Sequence, residues 1–211
     1  SSDLGEYNYK ELYYAEVAAR TDASSRFGKD HRWGMFWSLG FMWNIKNEAF
    51  LKDIEWLTNA QIKLSTGTSG NSEIPYYDHL ALVAGDANYN DEAGIYPKQS
   101  GNEELSWEQT WANNIGLTLG IFNRVNLNVD FYHKKTTNML MLVPQSYAIT
   151  GVGNRWDNIG AMMNRGVEIA MDGDVIRTKD FTWNLSANVS YNKNKLLELY
   201  NGVEEYVNST K

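Results

Sequence analysis

The 211-residue chain contains no cysteine, which excludes a disulfide scaffold and any cysteine-based metal or redox site. It has only three prolines. That scarcity suits long uninterrupted strands, because proline removes a donor from the hydrogen-bonding ladder. No apolar run approaches the roughly 18 residues that mark a membrane-spanning helix; the longest, such as "MLMLV" at 139–143, fall far short. Basic charge is also in deficit. Nineteen Lys and Arg against 26 Asp and Glu give a formal net charge of −7, the wrong sign for a nucleic-acid partner held through its phosphates. No basic segment followed by an apolar core opens the chain, so no signal peptide is expected within it. Its strand-like start and polar finish read as cuts in something larger.

Aromatic residues are plentiful, with eight Trp and thirteen Tyr, and they fall into a pattern of period two. In "WGMFWSLGFMWNI", residues 33–45, an apolar side chain occupies every odd position from Trp33 to Ile45. The even positions hold a mixture of small, polar and apolar residues. Comparable alternation predicts strands at about 12–21, 33–45, 56–66, 110–122, 124–136, 165–173 and 181–193. The last is the cleanest: Phe181, Trp183, Leu185, Ala187, Val189 and Tyr191 oppose Thr182, Asn184, Ser186, Asn188, Ser190 and Asn192. Across these strands the opposing face is rich in Asn, Ser, Thr, Gly, Lys, Glu and Asp, residues suited to water.

Several of these strands reach the ~9–11 residues that a tilted strand needs to cross a bilayer, beyond the ~5–6 usual in soluble sheets. Aromatic rings sit near the ends of the apolar stripes, as at Trp33 and Trp43, Trp111, Trp183 and Tyr191. Amphipathic rings favour the headgroup zone, which suggests the paired girdles of an outer-membrane barrel. From the second connection onward, short and long alternate. Such barrels have short periplasmic turns and longer extracellular loops, which puts 67–109 and 137–164 outside the cell and the tight "FNRV" turn at 122–125 in the periplasm. Alternation alone also describes a soluble antiparallel sandwich or a lipocalin-like barrel. The competing function is then a soluble all-β carbohydrate-binding or adhesion module.

The stretch "RTDASSRFGKDHRWGMFWSLGFMWNIKNEAF" resembles a segment of the SusC/RagA-like TonB-dependent transporters of Bacteroidetes. The resemblance rests on Arg20, Asp22, Ser24, Ser25, Arg26, Phe27, Gly28, Trp33, Gly34, Phe36, Ser38, Trp43, Glu48 and Phe50. It continues in order through "IKLSTGTSGN", "GNEELSWEQT", "NLNVDFYHKKTTNML", "NIGAMMNRGVEIAM" and "FTWNLSANVSYNKNKLLEL". Ala23, Trp37, Glu103 and the Ser65–Thr66 pair depart from the family pattern, in ways that bear on turns more than on membership. The resemblance implies an all-β fold: an antiparallel transmembrane barrel, of which 1–211 would supply about seven or eight strands out of 22. The plug domain and the closing C-terminal strands would lie outside this stretch. It also implies outer-membrane lipid around the barrel, TonB as energy source through an N-terminal region, a SusD-like surface lipoprotein as lid, and an oligosaccharide or peptide as cargo.

No enzyme is expected. His31, His79 and His133 are scattered and fit no zinc-hydrolase pattern. "GVGNRW" at 151–156 begins like a dinucleotide fingerprint but has Trp156 where the third glycine belongs. "DANYNDEAG" at 86–94 starts like a calcium loop but has Asp91 in place of the turn glycine and Pro97 in place of the final Glu. A cation on this acidic loop is left open; no cofactor or metal is assigned. Aromatic faces with amide and carboxylate groups suit sugars and peptides. The candidates for contact with cargo are therefore Tyr76, Tyr77, Asp78, Tyr89 and Tyr96 in one long loop, and Asn154, Arg155 and Trp156, beside Tyr147 and Asp157, in the other. The alternative role for each is packing the loop or touching the lid. Arg20, Glu16, Asp130 and Lys134, on the water-facing side, are expected to form a charge ladder.

Overall fold

The computed structural model describes residues 1–89 and 92–199, apart from the side chains of 86–89 and 93. Eight strands form one antiparallel sheet in the order β1 (Ser2–Tyr9), β2 (Tyr13–Ala23), β3 (Trp33–Asn44), β4 (Leu57–Asn71), β7 (Glu108–Ile121), β8 (Val125–Thr137), β11 (Ala161–Arg177) and β12 (Thr182–Glu198). Two hairpins lie outside this sheet: β5 (Leu82–Tyr89) with β6 (Glu92–Gln99), and β9 (Leu140–Pro144) with β10 (Asn154–Asn158). A single helical turn, α1 (Tyr147–Thr150), sits between β9 and β10.

All seven expected strands are present, and β1 joins them at one edge. Several run longer than their alternation indicates. β4 continues to Asn71, and β11 extends over 17 residues. Neighbours in sequence are neighbours in the sheet wherever no loop hairpin intervenes, which is the up-and-down connectivity of a barrel wall.

The register aligns the apolar side of every strand. One continuous row crosses the sheet through Tyr7, Ala15, Phe41, Leu64, Ile115, Phe131, Val167 and Tyr191. Nothing covers it. Trp33, Met35, Leu39 and Phe41 of the opening stripe are all exposed, Trp33 by 72%. A sandwich would press this face against a second sheet, and among the described residues there is no second layer. The side chains are sorted as in a wall one strand thick.

Tilt can be read from the same register. On β3 the stripe runs up to Trp33, but on β12 it stops at Tyr191, which shares its row with Phe41. The apolar band thus slides along the strands from one neighbour to the next. At ~3.3 Å per residue and ~4.8 Å per strand step, this offset corresponds to a tilt of about 45°, the geometry of a membrane barrel.

The two ends of the sheet differ. At one end the connections are tight. Residues 9–12 and 121–124 turn with Lys10, Glu11, Phe122 and Asn123 at positive φ, and 178–181 closes through Thr178 and Phe181. The longer connection at this end, 45–56, is held by Lys46, whose ammonium donates to the carbonyls of Leu51, Lys52 and Ile54 at 2.7–3.1 Å. Aromatic rings gather beside these turns. The Glu48 carboxylate accepts from Tyr13 at 2.7 Å and from Trp43 at 3.0 Å, and Trp56 meets Phe122 with ring centroids 6.5 Å apart. The other end carries the loops 24–32, 72–107 and 138–160.

Candidate substrate-facing loop layer

The three loops are held together by a small core of their own. Phe27, Ile74 and Leu105, one from the first loop and two from the second, are almost wholly buried, and Trp107, Leu140 and Trp156 pack around them. Phe36 is buried on the inner face of β3, with its ring 5.4 Å from that of Trp107 and inclined at 70°. The glycines Gly34 and Gly70 make room for that ring; a Cβ at either would strike it. The inner face of the wall therefore continues into the underside of the loop layer.

Hydrogen bonds tie the loops to one another. The Asn158 side chain accepts from the Ser106 amide at 2.7 Å and donates to the Ser106 carbonyl at 2.9 Å, mimicking a strand pairing. Asn102 donates to the Trp156 carbonyl and to the Asp157 carboxylate, each at 3.1 Å. The Trp107 indole donates to the Arg32 carbonyl at 3.0 Å. The Glu108 carboxylate accepts from Leu140 N–H at 3.1 Å, and Arg26 reaches the Ser72 carbonyl at 3.2 Å. Gly28 lies against the Glu103 backbone with no room for a Cβ.

The expected contact residues fall into two groups. Trp156 belongs to the loop core, and Arg155 is paired with Asp157 at 2.8 Å. Both sit on β10, opposite Leu142 and Val143 of β9. Tyr76 and Tyr77 are exposed by about two thirds, and the Arg26 guanidinium lies 4.7 Å above the Tyr76 ring. Tyr77 has a φ of 72°, and its carbonyl accepts from the Gln99 amide at 2.9 Å, which ties this turn to β6. Asp78 is half-buried, while Tyr96 and Asn154 are exposed. Tyr147 and Ile149 of α1 and Ile95 of β6 are more exposed than the three tyrosines, each above 70%. Tyr89 ends β5, and its side chain lies outside the described residues. So do Asn90 and Asp91, and with them most of the acidic loop considered as a cation site.

The expected charge ladder does not form among its four members. Arg20 pairs with Asp22 of its own strand at 2.7 Å, and Lys134 lies over the Tyr132 ring at 5.5 Å. Polar pairs span the inner face instead, such as Thr118 with Asn128 at 2.9 Å and Asn126 with Asp172 at 3.0 Å.

Residue-by-residue reading missed the ties: Asn102, Leu105, Trp107, Asn158 and Phe36. A signal for them existed, because Leu105 and Trp107 lie in "GNEELSWEQT" and Phe27 and Phe36 in the first matched stretch. The layer as a whole offers exposed aromatic and amide groups above a rigid base, which is equipment for binding.

Comparison with known proteins agrees with this geometry. The family model described as "TonB dependent receptor-like, beta-barrel" matches residues 5–210. TonB-dependent receptor P39 of Formosa agariphila is 38% identical over 194 residues, covering 92% of this chain and 19% of that protein. TonB-dependent receptor SusC of Bacteroides thetaiotaomicron is 36% identical, covering 95% of this chain and 21% of its own length. The structure of the RagAB peptide importer in its closed-closed state superposes with a TM-score of 0.92 at 37% identity, over 99% of this chain and 23% of that one. The chain thus spans about a fifth of the length of the curated relatives it matches.

Proposed function

The chain belongs to the TonB-dependent receptor-like β-barrel family, and on that premise we propose that it forms part of the wall and extracellular mouth of a nutrient importer. The family places it in the outer membrane of a Gram-negative bacterium. The supporting observation is the uncovered apolar row from Tyr7 to Tyr191, with water-seeking residues behind it and a cross-linked loop layer at one end only. A soluble binding module has no use for such a surface.

Cargo would meet Tyr76, Tyr77, Tyr96 and Asn154, whose faces and amide suit an oligosaccharide or a peptide. Trp156 and Arg155 would shape the floor beneath them. A SusD-like lipoprotein lid would meet the exposed apolar groups at Ile95, Tyr147 and Ile149. No bond is made or broken. Energy would arrive through TonB acting on a plug domain.

The test is uptake of labelled oligosaccharides and labelled peptides by cells carrying the complete transporter and its lid. The expected result is accumulation of one class, abolished by loss of TonB and reduced when Tyr76 and Tyr77 are both changed to Ala. TonB-independent behaviour for both classes would end the importer reading.

A further inference from the structure

Just above the apolar band, the outward face of the last three strands turns basic. His133 on β8, Arg165 on β11 and Lys193 on β12 stand directly opposite one another in register. One step further toward the loops, Lys135 and Lys195 flank Met163. Immediately below, in the same alternation, are Phe131, Val167 and Tyr191 of the apolar row. All five basic residues are exposed. They point the same way as the lipid-facing stripe, with their charges at the loop-side edge of the band.

Like charges directly across a sheet are destabilising, so an arrangement of this kind wants an anion. Among the described residues none of the five makes an ion pair, although the whole chain has 26 acidic residues. The carboxylates of these strands at Asp130, Glu168, Asp172 and Asp174 share the inner face with Lys134 and Asn164. Glu198 lies beyond a register shift and shares a shallow depression with Lys135, without pairing to it. The stems of Lys and Arg can lie along an apolar surface while their heads reach the interface.

From this juxtaposition we propose that His133, Lys135, Arg165, Lys193 and Lys195 form a binding site for the phosphate groups of an outer-leaflet lipid, whose acyl chains lie along the Phe131–Val167–Tyr191 stripe. The site rests on the outer-membrane barrel reading and adds a bound lipid to it. Neighbouring strands are ~4.8 Å apart and alternate residues ~7 Å, so the two rows span the footprint of a phosphorylated sugar headgroup. Guanidinium and ammonium groups give charge-assisted hydrogen bonds to phosphate.

The test uses the complete transporter extracted from membranes in detergent, with diphosphorylated lipid A, its dephosphorylated form and inorganic phosphate as probes. Bound lipid is counted by native mass spectrometry, and folding is verified by heat-modifiable migration. Wild-type protein should retain the phosphorylated lipid, and Arg165→Gln/Lys193→Gln/Lys195→Gln should lose affinity roughly a hundredfold, from about fivefold per basic group at an anionic surface. Lys193→Arg/Lys195→Arg should keep it. If the triple variant does not fold, Lys193→Gln alone should show the fivefold loss. Equal retention by folded wild type and variant overturns the site and leaves the barrel intact. Equal retention of the dephosphorylated lipid, or displacement by millimolar inorganic phosphate, also overturns it. Wild-type protein found outside the membrane fraction overturns the barrel reading and the site together.

Discussion

At the scale of single residues, adjacent positions on β3 live in different solvents. Leu39 stands on the uncovered stripe, while Ser38 faces Ala18 and Gly67 on the inner side. In the complete barrel Leu39→Arg should cost roughly 2–4 kcal/mol near the bilayer midplane, and Ser38→Arg far less. A folding titration into lipid vesicles measures both; equal penalties would contradict the assignment of faces. Gly28 gives a second test. Its place against the Glu103 backbone leaves no space for a methyl group, so Gly28→Ala should separate the first loop from the second. The expected cost is about 1–3 kcal/mol, as for overpacking elsewhere, read as a lowered midpoint of loop unfolding with the wall unchanged. Leu39 and Ser38 were legible from alternation alone. Gly28 was not: within "RFGKD" it looks like any turn glycine, and its reason is a contact made 75 positions away.

At the scale of elements, legibility follows the boundary between two solvents. The strands of the main sheet show period two because one face needs hydrocarbon and the other water, and that contrast covers the middle of each strand. It fades toward the ends of β4 and β11, and the sequence there loses its period. The loop hairpins were missed for the same reason. β9 is an apolar run, but its partner β10, "NRWDN", is polar, so neither carries an alternating stripe. One of the ties that hold that hairpin to the rest is Asn158, whose amide pairs with both backbone groups of Ser106. Asn158→Ala leaves those groups unpaired, at a cost of about 1–3 kcal/mol. Faster hydrogen exchange at the Ser106 amide, with exchange on β7 and β8 unchanged, is the expected signature.

At the scale of the whole molecule, among the described residues the main sheet has two unpaired edges, β1 and β12, and an apolar face with no cover. Open edges and large apolar patches both promote association. Expressed by itself, the chain should sediment in aqueous buffer and remain dispersed only in detergent. A detergent-free monomer with a cooperative melt would restore the soluble-module alternative. The loop layer has a different implication for anyone building chimeras. Because Phe27, Ile74 and Leu105 fill one shared space from two loops, and β10 closes it from a third, grafting a single loop from a relative would leave half of a joint behind. The heritable unit is then the trio, exchanged whole, and natural recombination that broke it would be selected against for the loss of this shared core alone.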